Sequence, residues 1–292
     1  MSATPSPYRL PAATRVGGVR LQVSNLPRSL EYYRTVLGLQ VLSNTGTTAR
    51  LGALGATEPL IELDEREGAR PVTRQGRLGL YHFAVLLPTR GDLARCVGHL
   101  RELQVPMGAS DHLVSEALYL TDRDGLGIEV YADRPRATWR RNGNDLAMDS
   151  LPLDFDALLE TAGTGRWTGM PTGTVIGHLH LHVGDLQSAE TFYGDALGFD
   201  VTVRGYPGAL FLSAGGYHHH LGTNTWAGVQ APRPTERDAR LLEWQLILPD
   251  AHTVDAAAAS MEGSGNVVRR TGGGWLVTDP WGTTLRVGIG PG

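Results

Sequence analysis

The chain has 292 residues, of which 41% are hydrophobic and 19% charged, and its formal net charge is −4 at pH 7. This balance is typical of a globular protein with one or two domains and excludes the basic surface that nucleic acids or anionic membranes select. Cys96 is the only cysteine, so no intrachain disulfide forms, which favours a reducing, cytoplasmic setting. No apolar run is long enough to span a membrane, and the polar, proline-rich start predicts no secretory signal.

The first predicted elements are a strand, an amphipathic helix and further strands. The stretch VGGVRLQVSNLPRSLEYYRTVLGL (16–39) begins with alternating apolar residues and then changes to helical spacing. Asn25 fits the N-cap of that helix, and Gly38 fits its C-terminal end. The strand-like runs TARLGAL and PLIEL follow. We therefore predict a βαβββ unit at the start of the chain.

The same order of elements recurs three times along the chain. A weaker copy begins with LGLYHFAVLLPTRGDLARCVGHLRELQV (78–105) and ends with ALYLTDRDGLGIEVY (117–131). A clear copy begins with IGHLHLHVGDLQSAETFYGDALGF (176–199), and a fourth begins with LLEWQLILPDAHTVDAAAASMEGSGN (241–266). Because internal repeats outrank local patterns in assigning a fold, we predict an α+β protein of four units. The units cover residues 14–66, 78–132, 174–224 and 240–289.

The repeats also predict the domain organisation. Residues 14–132 hold the first pair of units, and residues 171–290 hold the second pair. Residues 133–170 form a linker with a short helix at DFDALLETA. The linker is long enough to let the units pair in more than one way.

These motifs resemble the vicinal oxygen chelate superfamily, which includes glyoxalase I, bleomycin-resistance proteins and extradiol dioxygenases. The similarity lies in unit openings of the type HxxLxVxDLxxSxxFYxxxLGF and unit endings of the type DPxGxxxEV. GLYHFAVLLPTR, ASDHLVSEALYLTDRDGLGIEVYADRP and FLSAGGYHHHLGTNTW are most similar to the two-domain catechol 2,3-dioxygenases, and the resemblance covers nearly the whole chain. It implies two cupped half-barrel sheets, each built from two units.

In this superfamily, metal ligands lie at the start of a unit's first strand and in its last strand. By resemblance, these positions hold Gly18, His82, His178 and Glu243 in the first strands and Glu62, Glu129, about His220 and Arg286 in the last strands. If the units pair in chain order, the second pair offers Glu243 as the carboxylate ligand. That pairing also places the Arg286 guanidinium, which cannot ligate a metal, in a ligand position.

The other pairing joins unit two with unit three, and unit one with unit four. It brings His82, His178 and Glu129 together as a 2-His-1-carboxylate set, which is the ligand set of non-haem Fe(II) oxygenases and also fits Mn(II). The cup of units one and four is then metal-free and charge-paired. We therefore predict a metal cup from residues 78–132 and 174–224.

The resemblance implies roles for residues around this metal. His112 and Tyr119 would act beside it as acid–base and hydrogen-bonding groups, and His220 would assist proton transfer. His180 is predicted to line the substrate pocket, since alternate strand residues share a face with the ligand His178. By the same reasoning His218 faces the pocket together with His220.

Together these implications predict an extradiol ring-cleaving dioxygenase that inserts O2 into a catechol-type substrate at a mononuclear Fe(II) centre. Its partners would be a small aromatic diol and O2, with no nucleic acid and no membrane, while homo-oligomer formation stays open. One alternative is a glyoxalase-like metal-dependent lyase or isomerase, which would favour two carboxylate ligands. Another is a metal-free ligand-binding protein of the resistance type, which would lack the ligand set.

Overall fold

The computed structural model describes residues 8–73 and 76–290. The first seven residues, over which no secretory signal is predicted, lie outside this part. Among the helices of the described ranges, none is long and apolar enough to span a lipid bilayer.

The first two units follow the predicted order of elements. Unit one contains β1 (Arg15–Val23), α1 (Leu26–Thr35), β2 (Gln40–Asn44), β3 (Thr48–Gly52) and β4 (Ile61–Glu65). Unit two contains β5 (Gly79–Leu86), α2 (Arg90–Glu102), β6 (Gly108–Asp111), β7 (Ser115–Thr121) and β8 (Gly127–Asp133). The Asn25 side chain accepts a hydrogen bond from the Arg28 N–H, so the predicted N-cap of α1 is confirmed. The C-cap is Val36, and Gly38, with φ 70°, lies two residues further on, where the chain turns away from the helix.

The linker and the last two units complete the chain. The linker contains a hairpin of β9 (Arg141–Asn142) and β10 (Asp145–Leu146), followed by the short helix α3 (Phe155–Leu159). Unit three contains β11 (Val175–His182), α4 (Leu186–Ala189), a π-helical continuation (Glu190–Ala196), β12 (Asp200–Val203), β13 (Ala209–Ser213) and β14 (Leu221–Asn224). Unit four contains β15 (Arg240–Leu248), α5 (Ala251–Gly263), β16 (Arg269–Thr271), β17 (Gly274–Thr278) and β18 (Thr284–Ile289).

The strands form two curled eight-stranded sheets, each of which combines units from both halves of the chain. The first sheet has the order β16-β17-β18-β15-β1-β4-β3-β2, and the second has the order β12-β13-β14-β11-β5-β8-β7-β6. In each sheet the first strands of two units meet antiparallel at the centre, as β1 with β15 and β5 with β11. Units two and three therefore share one sheet, and units one and four share the other.

The two faces of the second sheet differ in chemistry because successive side chains of a strand point to opposite sides. Phe83 and Val85 of β5 and Leu179 of β11 are fully buried in the hydrophobic core together with residues of the helices. The alternate residues form the opposite, concave face, which carries His82 and His178. This face contains the candidate site.

The first sheet carries paired charges at the equivalent positions. Arg286 donates from Nε to one carboxylate oxygen of Glu243 at 2.6 Å and from Nη2 to the other at 3.0 Å. Arg50 donates to Glu62 at 3.0 Å. The cavity on this side measures only about 20 Å³. These charged side chains satisfy one another and leave little space for a ligand.

Candidate metal centre

Three neighbouring strands bring together a carboxylate and two imidazoles around a small residue. Ala84 of β5 pairs with Glu129 of β8 on one side and with His178 of β11 on the other. His82 precedes Ala84 by two residues and therefore lies on the same face. Because neighbouring strands are about 4.8 Å apart, the small Ala84 side chain leaves room for the longer side chains to converge above it. His82, Glu129 and His178, which are far apart in sequence, thus become neighbours.

The distances within this triad fit a metal ion. His82 Nε2 lies 3.0 Å from Glu129 Oε2, and His178 Nε2 lies 3.3 Å from the same oxygen. Ligands bound about 2.1 Å from a metal in adjacent octahedral positions are separated by about 3 Å. His82 Nε2 is buried without a properly oriented hydrogen bond to any described residue, so this nitrogen is free to ligate. The donor set therefore fits a divalent cation.

The electrostatics of the triad also suit a cation. Glu129 is only 3% exposed. Burial raises the pKa of Glu129, but the two imidazoles outweigh that effect and hold it well below the usual carboxyl range. Burial lowers the pKa of His178 to about 4 against the opposing pull of Glu129, so this imidazole is neutral at pH 7. The site thus combines a buried carboxylate with a neutral His178 imidazole that can offer a lone pair.

A second group, formed by His178, His218 and His219, also brings its nitrogens within 4.8 Å of one another. In that group the Nδ1 atoms of His218 and His219 lie 2.7 Å apart, and His218 Nε2 lies 3.0 Å from Asp133 Oδ1. These nitrogens already have hydrogen-bond partners, and the group contains no carboxylate to offset a divalent charge. The set that contains Glu129 is therefore the better candidate.

The histidines of residues 218–220 are arranged differently from the prediction. His219 lies on the wall of the pocket, with its ring centre 4.0 Å from that of His178. His220 does not face the pocket, because its Nδ1 accepts a hydrogen bond from the Ala214 N–H at 3.2 Å and its ring stacks on Phe199. The expectation that His220 and His218 look into the cup is therefore wrong, and His219 is the residue that sequence reasoning missed.

The physical reason is the backbone before β14. Gly215 and Gly216 have φ of 60° and 69°, and the strand begins only at Leu221. Residues 218–220 are therefore not in a strand, and the alternation of faces on which the prediction rested does not apply to them. The paired glycines GG before YHHH were the available signal.

Hydrogen bonds determine the proton positions on His218 and His219. A carboxylate only accepts, so His218 carries its proton on Nε2 and donates it to Asp133. With that proton on Nε2, His218 Nδ1 accepts from His219 Nδ1, 2.7 Å away. The remaining nitrogen of His219, Nε2, is left with a lone pair at the pocket wall.

The predicted pair of His112 and Tyr119 lines the opposite wall of the pocket. His112 Nδ1 donates to the backbone carbonyl of Asp149 at 2.7 Å, since a carbonyl only accepts. His112 Nε2 therefore accepts from the Tyr119 hydroxyl, 2.5 Å away. Burial, with the nearby charge of Glu129, raises the pKa of Tyr119 well above its usual value, so the hydroxyl keeps its proton.

His180 also lies on the pocket wall, where prediction placed it. Gly222 of β14 pairs with His180, and a Cβ at this glycine would lie 2.9 Å from the imidazole ring. The glycine therefore lets the ring lie close to the neighbouring strand. His182 is buried and bonds to Asn224 through Nδ1 at 2.7 Å.

These side chains surround a cavity of about 260 Å³, which we call the inner pocket. Several of its lining residues were not singled out as site residues from the sequence. Tyr81 lies in β5 and Phe211 in β13, whereas Met148 and Ser150 come from the linker, and Tyr206 and Trp226 from loops of unit three. The aromatic rings among them make the pocket suited to a planar ligand.

Comparison with known proteins places the chain in a family. Residues 15–130 and 175–287 match the model of the Glyoxalase/Bleomycin resistance protein/Dioxygenase superfamily. The chain belongs to this superfamily, as its repeats predicted. A protein of Bacillus subtilis (strain 168) named Catechol-2,3-dioxygenase is 45% identical over 271 residues, which cover 91% of this chain and 94% of that protein.

Solved structures agree on the fold. A putative dioxygenase from Bacillus subtilis matches 98% of this chain and 87% of its own with a TM-score of 0.64 and 14% identity. Glyoxalase I from Zea mays matches 95% of this chain and 92% of its own with a TM-score of 0.56 and 16% identity. At these identities the similarity confirms the α+β architecture of four units in two cupped sheets.

Proposed function

We propose that this protein is an extradiol ring-cleaving dioxygenase that acts on a catechol-type substrate with Fe(II) as its metal. The observation that supports this proposal most directly is the convergence of His82 and His178 on Glu129 beside a pocket lined with aromatic rings. The Bacillus subtilis relative, at 45% identity, supports the same activity. His82, Glu129 and His178 are the proposed metal ligands.

The reaction needs no external reductant. Both atoms of O2 enter the product. The ring opens at the bond between one hydroxylated carbon and the adjacent carbon that carries no hydroxyl. His82, Glu129 and His178 would hold a divalent iron, which would supply Lewis acidity towards the catechol hydroxyls and a redox partner for O2. The protein's own residues bind and orient the ring, hold protons and exclude water.

His219 is the proposed proton acceptor. Its Nε2 carries the free lone pair at the pocket wall, because His218 and Asp133 determine where the other protons reside. Burial lowers the pKa of His219 well below its usual value, so the ring is neutral before substrate binds. In that state it takes a proton from a catechol hydroxyl and returns it to the developing product.

Tyr119 and His112 are proposed to act from the opposite wall. The hydroxyl of Tyr119 keeps its proton and reorients between His112 and a substrate oxygen. His180 and Tyr81 form the sides of the ring site, with ring centres 5.3 Å apart. His218 acts through His219 and is not itself in contact with the pocket.

The alternatives have less support. A glyoxalase-like lyase would favour a second carboxylate ligand, whereas the triad contains one carboxylate and two histidines. The similarity to glyoxalase I from Zea mays concerns the fold alone. A metal-free binding protein would not need Glu129 buried between two imidazoles, since burial of an unpaired carboxylate costs several kcal/mol.

The direct test is an absorbance scan of Fe(II)-loaded protein mixed with catechol in air. We expect a yellow ring-fission product that forms only when both iron and O2 are present. Glu129→Gln should remove the activity, whereas Glu62→Gln, at the equivalent strand of the first sheet, should retain it. Product formation without metal, or equal activity in the two variants, would contradict the proposal.

A further inference from the structure

The inner pocket adjoins a second cavity, which we call the outer groove. This groove measures about 650 Å³ and lies between the linker segment that follows β9 and the loops of unit three. Met148, Tyr206 and Trp226 line both cavities, so they form the junction. A ligand in the inner pocket that carries a side group can extend into the groove.

The inner pocket has room for a catechol ring. A cavity of about 150 Å³ holds a benzene ring. The inner pocket of about 260 Å³ exceeds that volume, and the metal and O2 of the proposed reaction would share it with the ring. A substituent on the ring that passes Met148, Tyr206 and Trp226 would lie in the outer groove.

The junction is apolar and aromatic. Trp226 is 47% exposed, so part of its ring surface is accessible at the junction. Its indole N–H is already bonded to the Pro207 carbonyl at 3.0 Å, so only the face of its ring is offered. Met148 and Tyr206 pack against the small buried cluster that includes Phe211.

The charges of the two cavities are of one sign. Among the described residues that line them, none is an arginine, and the chain contains no lysine. The acidic side chains in the groove are Asp145 and Asp149. A carboxylate on a substituent that reached the groove would meet no guanidinium in its lining and would be repelled by these two groups.

Three arginines of adjoining segments have partners outside the two cavities. Arg204 donates to both carboxylate oxygens of Glu190, at 2.5 and 2.6 Å. Arg141 donates to the Asn144 carbonyl at 2.8 Å. Arg134 is paired with Asp111 at 2.7 Å. The charges of Arg204 and Arg134 are therefore offset by carboxylates outside the lining.

We propose that the substrate is a catechol with an uncharged, apolar substituent that lies in the outer groove, and that catechols with a carboxylate substituent are selected against. The inference rests on the proposed function, because it assumes that the catechol ring occupies the inner pocket. It goes further in assigning the groove as a binding subsite and in specifying its charge selectivity.

The test compares two substrates that differ in one group. 4-Butylcatechol and 3-(3,4-dihydroxyphenyl)propanoate have side chains of similar length, but only the second ends in a carboxylate. We expect kcat/KM to be at least tenfold higher for 4-butylcatechol and no lower than for unsubstituted catechol. A ratio below tenfold between the matched pair would overturn the inference.

A variant pair locates the selectivity. Met148→Arg places a cation at the junction, and Met148→Gln is the neutral control of similar size. The arginine variant should lower the ratio of the matched pair at least tenfold relative to the glutamine variant. An unchanged ratio would show that the substituent does not lie at this junction.

Failure of the proposed function would be distinguishable from failure of this inference. If neither catechol nor 4-butylcatechol gives a ring-fission product with iron and O2, the proposed reaction is wrong. The same matched pair can then be compared by anaerobic calorimetric titration, which measures binding without turnover. Equal affinities of the two ligands would overturn the charge selectivity in either case.

Discussion

His219 and His220 are adjacent residues with different surroundings. His219 presents Nε2 to the inner pocket, whereas His220 is turned towards Ala214 and the ring of Phe199. An asparagine at either position has an amide group near the position of the imidazole Nδ1. It has no atom at the position of Nε2. The same substitution at both positions therefore provides a matched comparison.

We expect His219→Asn to lower kcat about 10²–10⁴-fold, the usual contribution of a positioned acid–base group, while KM changes much less. The metal content of the protein should remain that of the unsubstituted chain. His220→Asn should retain most of the activity. Steady-state kinetics on the two variants test this assignment. A larger loss of kcat in His220→Asn than in His219→Asn would show that His219 is not the proton acceptor.

The burial of His220 also predicts that the folded state loses stability at acidic pH. Burial lowers its pKa to about 3, whereas an unfolded histidine has a pKa of about 6.5. As the pH falls below 6.5, the unfolded chain takes up a proton that the folded chain does not, so the folded state loses stability. Between pH 7 and pH 5 this linkage amounts to about 2 kcal/mol.

The measurement is urea unfolding of the unsubstituted chain and of His220→Asn at both pH values. The variant should show a pH dependence that is smaller by about this amount. Other buried histidines contribute equally to both proteins and cancel in the comparison. Identical pH dependences would mean that His220 is protonated in the folded state as easily as in the unfolded state.

At the scale of elements, two tyrosine–aspartate contacts connect helices to turns. Tyr33 of α1 donates to Asp122 at 3.0 Å, in the turn between β7 and β8. Tyr193 of the π-helical continuation donates to Asp279 at 2.8 Å, in the turn between β17 and β18. The contacts join unit one to unit two and unit three to unit four, whereas the sheets join the units in the other combination.

We expect Tyr33→Phe and Tyr193→Phe each to lower the free energy of unfolding by about 1–3 kcal/mol. The hydroxyls are buried hydrogen-bond donors to carboxylates, and such bonds are stronger than neutral ones. The two effects should add in the double variant because the contacts lie in different parts of the molecule. Chemical denaturation measures each value, and a loss of catechol cleavage in correctly folded variants would argue against a purely structural role.

Only part of the linker's structure could be predicted from its sequence pattern. Its short helix was expected at DFDALLETA, and α3 with a following turn of 3₁₀-helix covers Phe155–Ala162. The hairpin of β9 and β10, and the placement of Met148 and Ser150 on the pocket wall, were not predicted. Those residues have no periodic pattern, and their position depends on contacts with unit three.

At the scale of the whole molecule, the two sheets have diverged in what their concave faces hold. One face has Glu243 and Glu62 neutralised by arginines, and the other has Glu129 between two imidazoles. An arginine brings its own positive charge, whereas the neutral His178 imidazole leaves the carboxylate to be balanced by a metal. Metal binding should therefore stabilise one half of the molecule.

We expect a divalent metal at about 100 times its dissociation constant to raise the free energy of unfolding by about 2.7 kcal/mol. Mn(II), or Fe(II) under anaerobic conditions, serves as the probe, with unfolding followed in its presence and absence. Glu129→Gln should lose this stabilisation, and Glu62→Gln should keep it. A metal effect that survives in Glu129→Gln would move the site away from the triad.

The sequence by itself determined the four repeats, their family and the residue types of the triad. Periods of two and 3.6 residues and the recurrence of DL and LG motifs are local properties, which do not depend on how the units assemble. The division of the chain at 14–132 and 171–290 stays a prediction. The sequence allowed two pairings of the units and offered Glu243 as a competing ligand.

Only the tertiary structure decided which units share a sheet, and thereby which carboxylate meets two histidines. It also decided that His219, not His220, lines the pocket, because two glycines in left-handed conformation interrupt the strand alternation. The outer groove likewise joins the linker to the loops of unit three. These features depend on contacts between residues far apart in the chain, which no local pattern specifies.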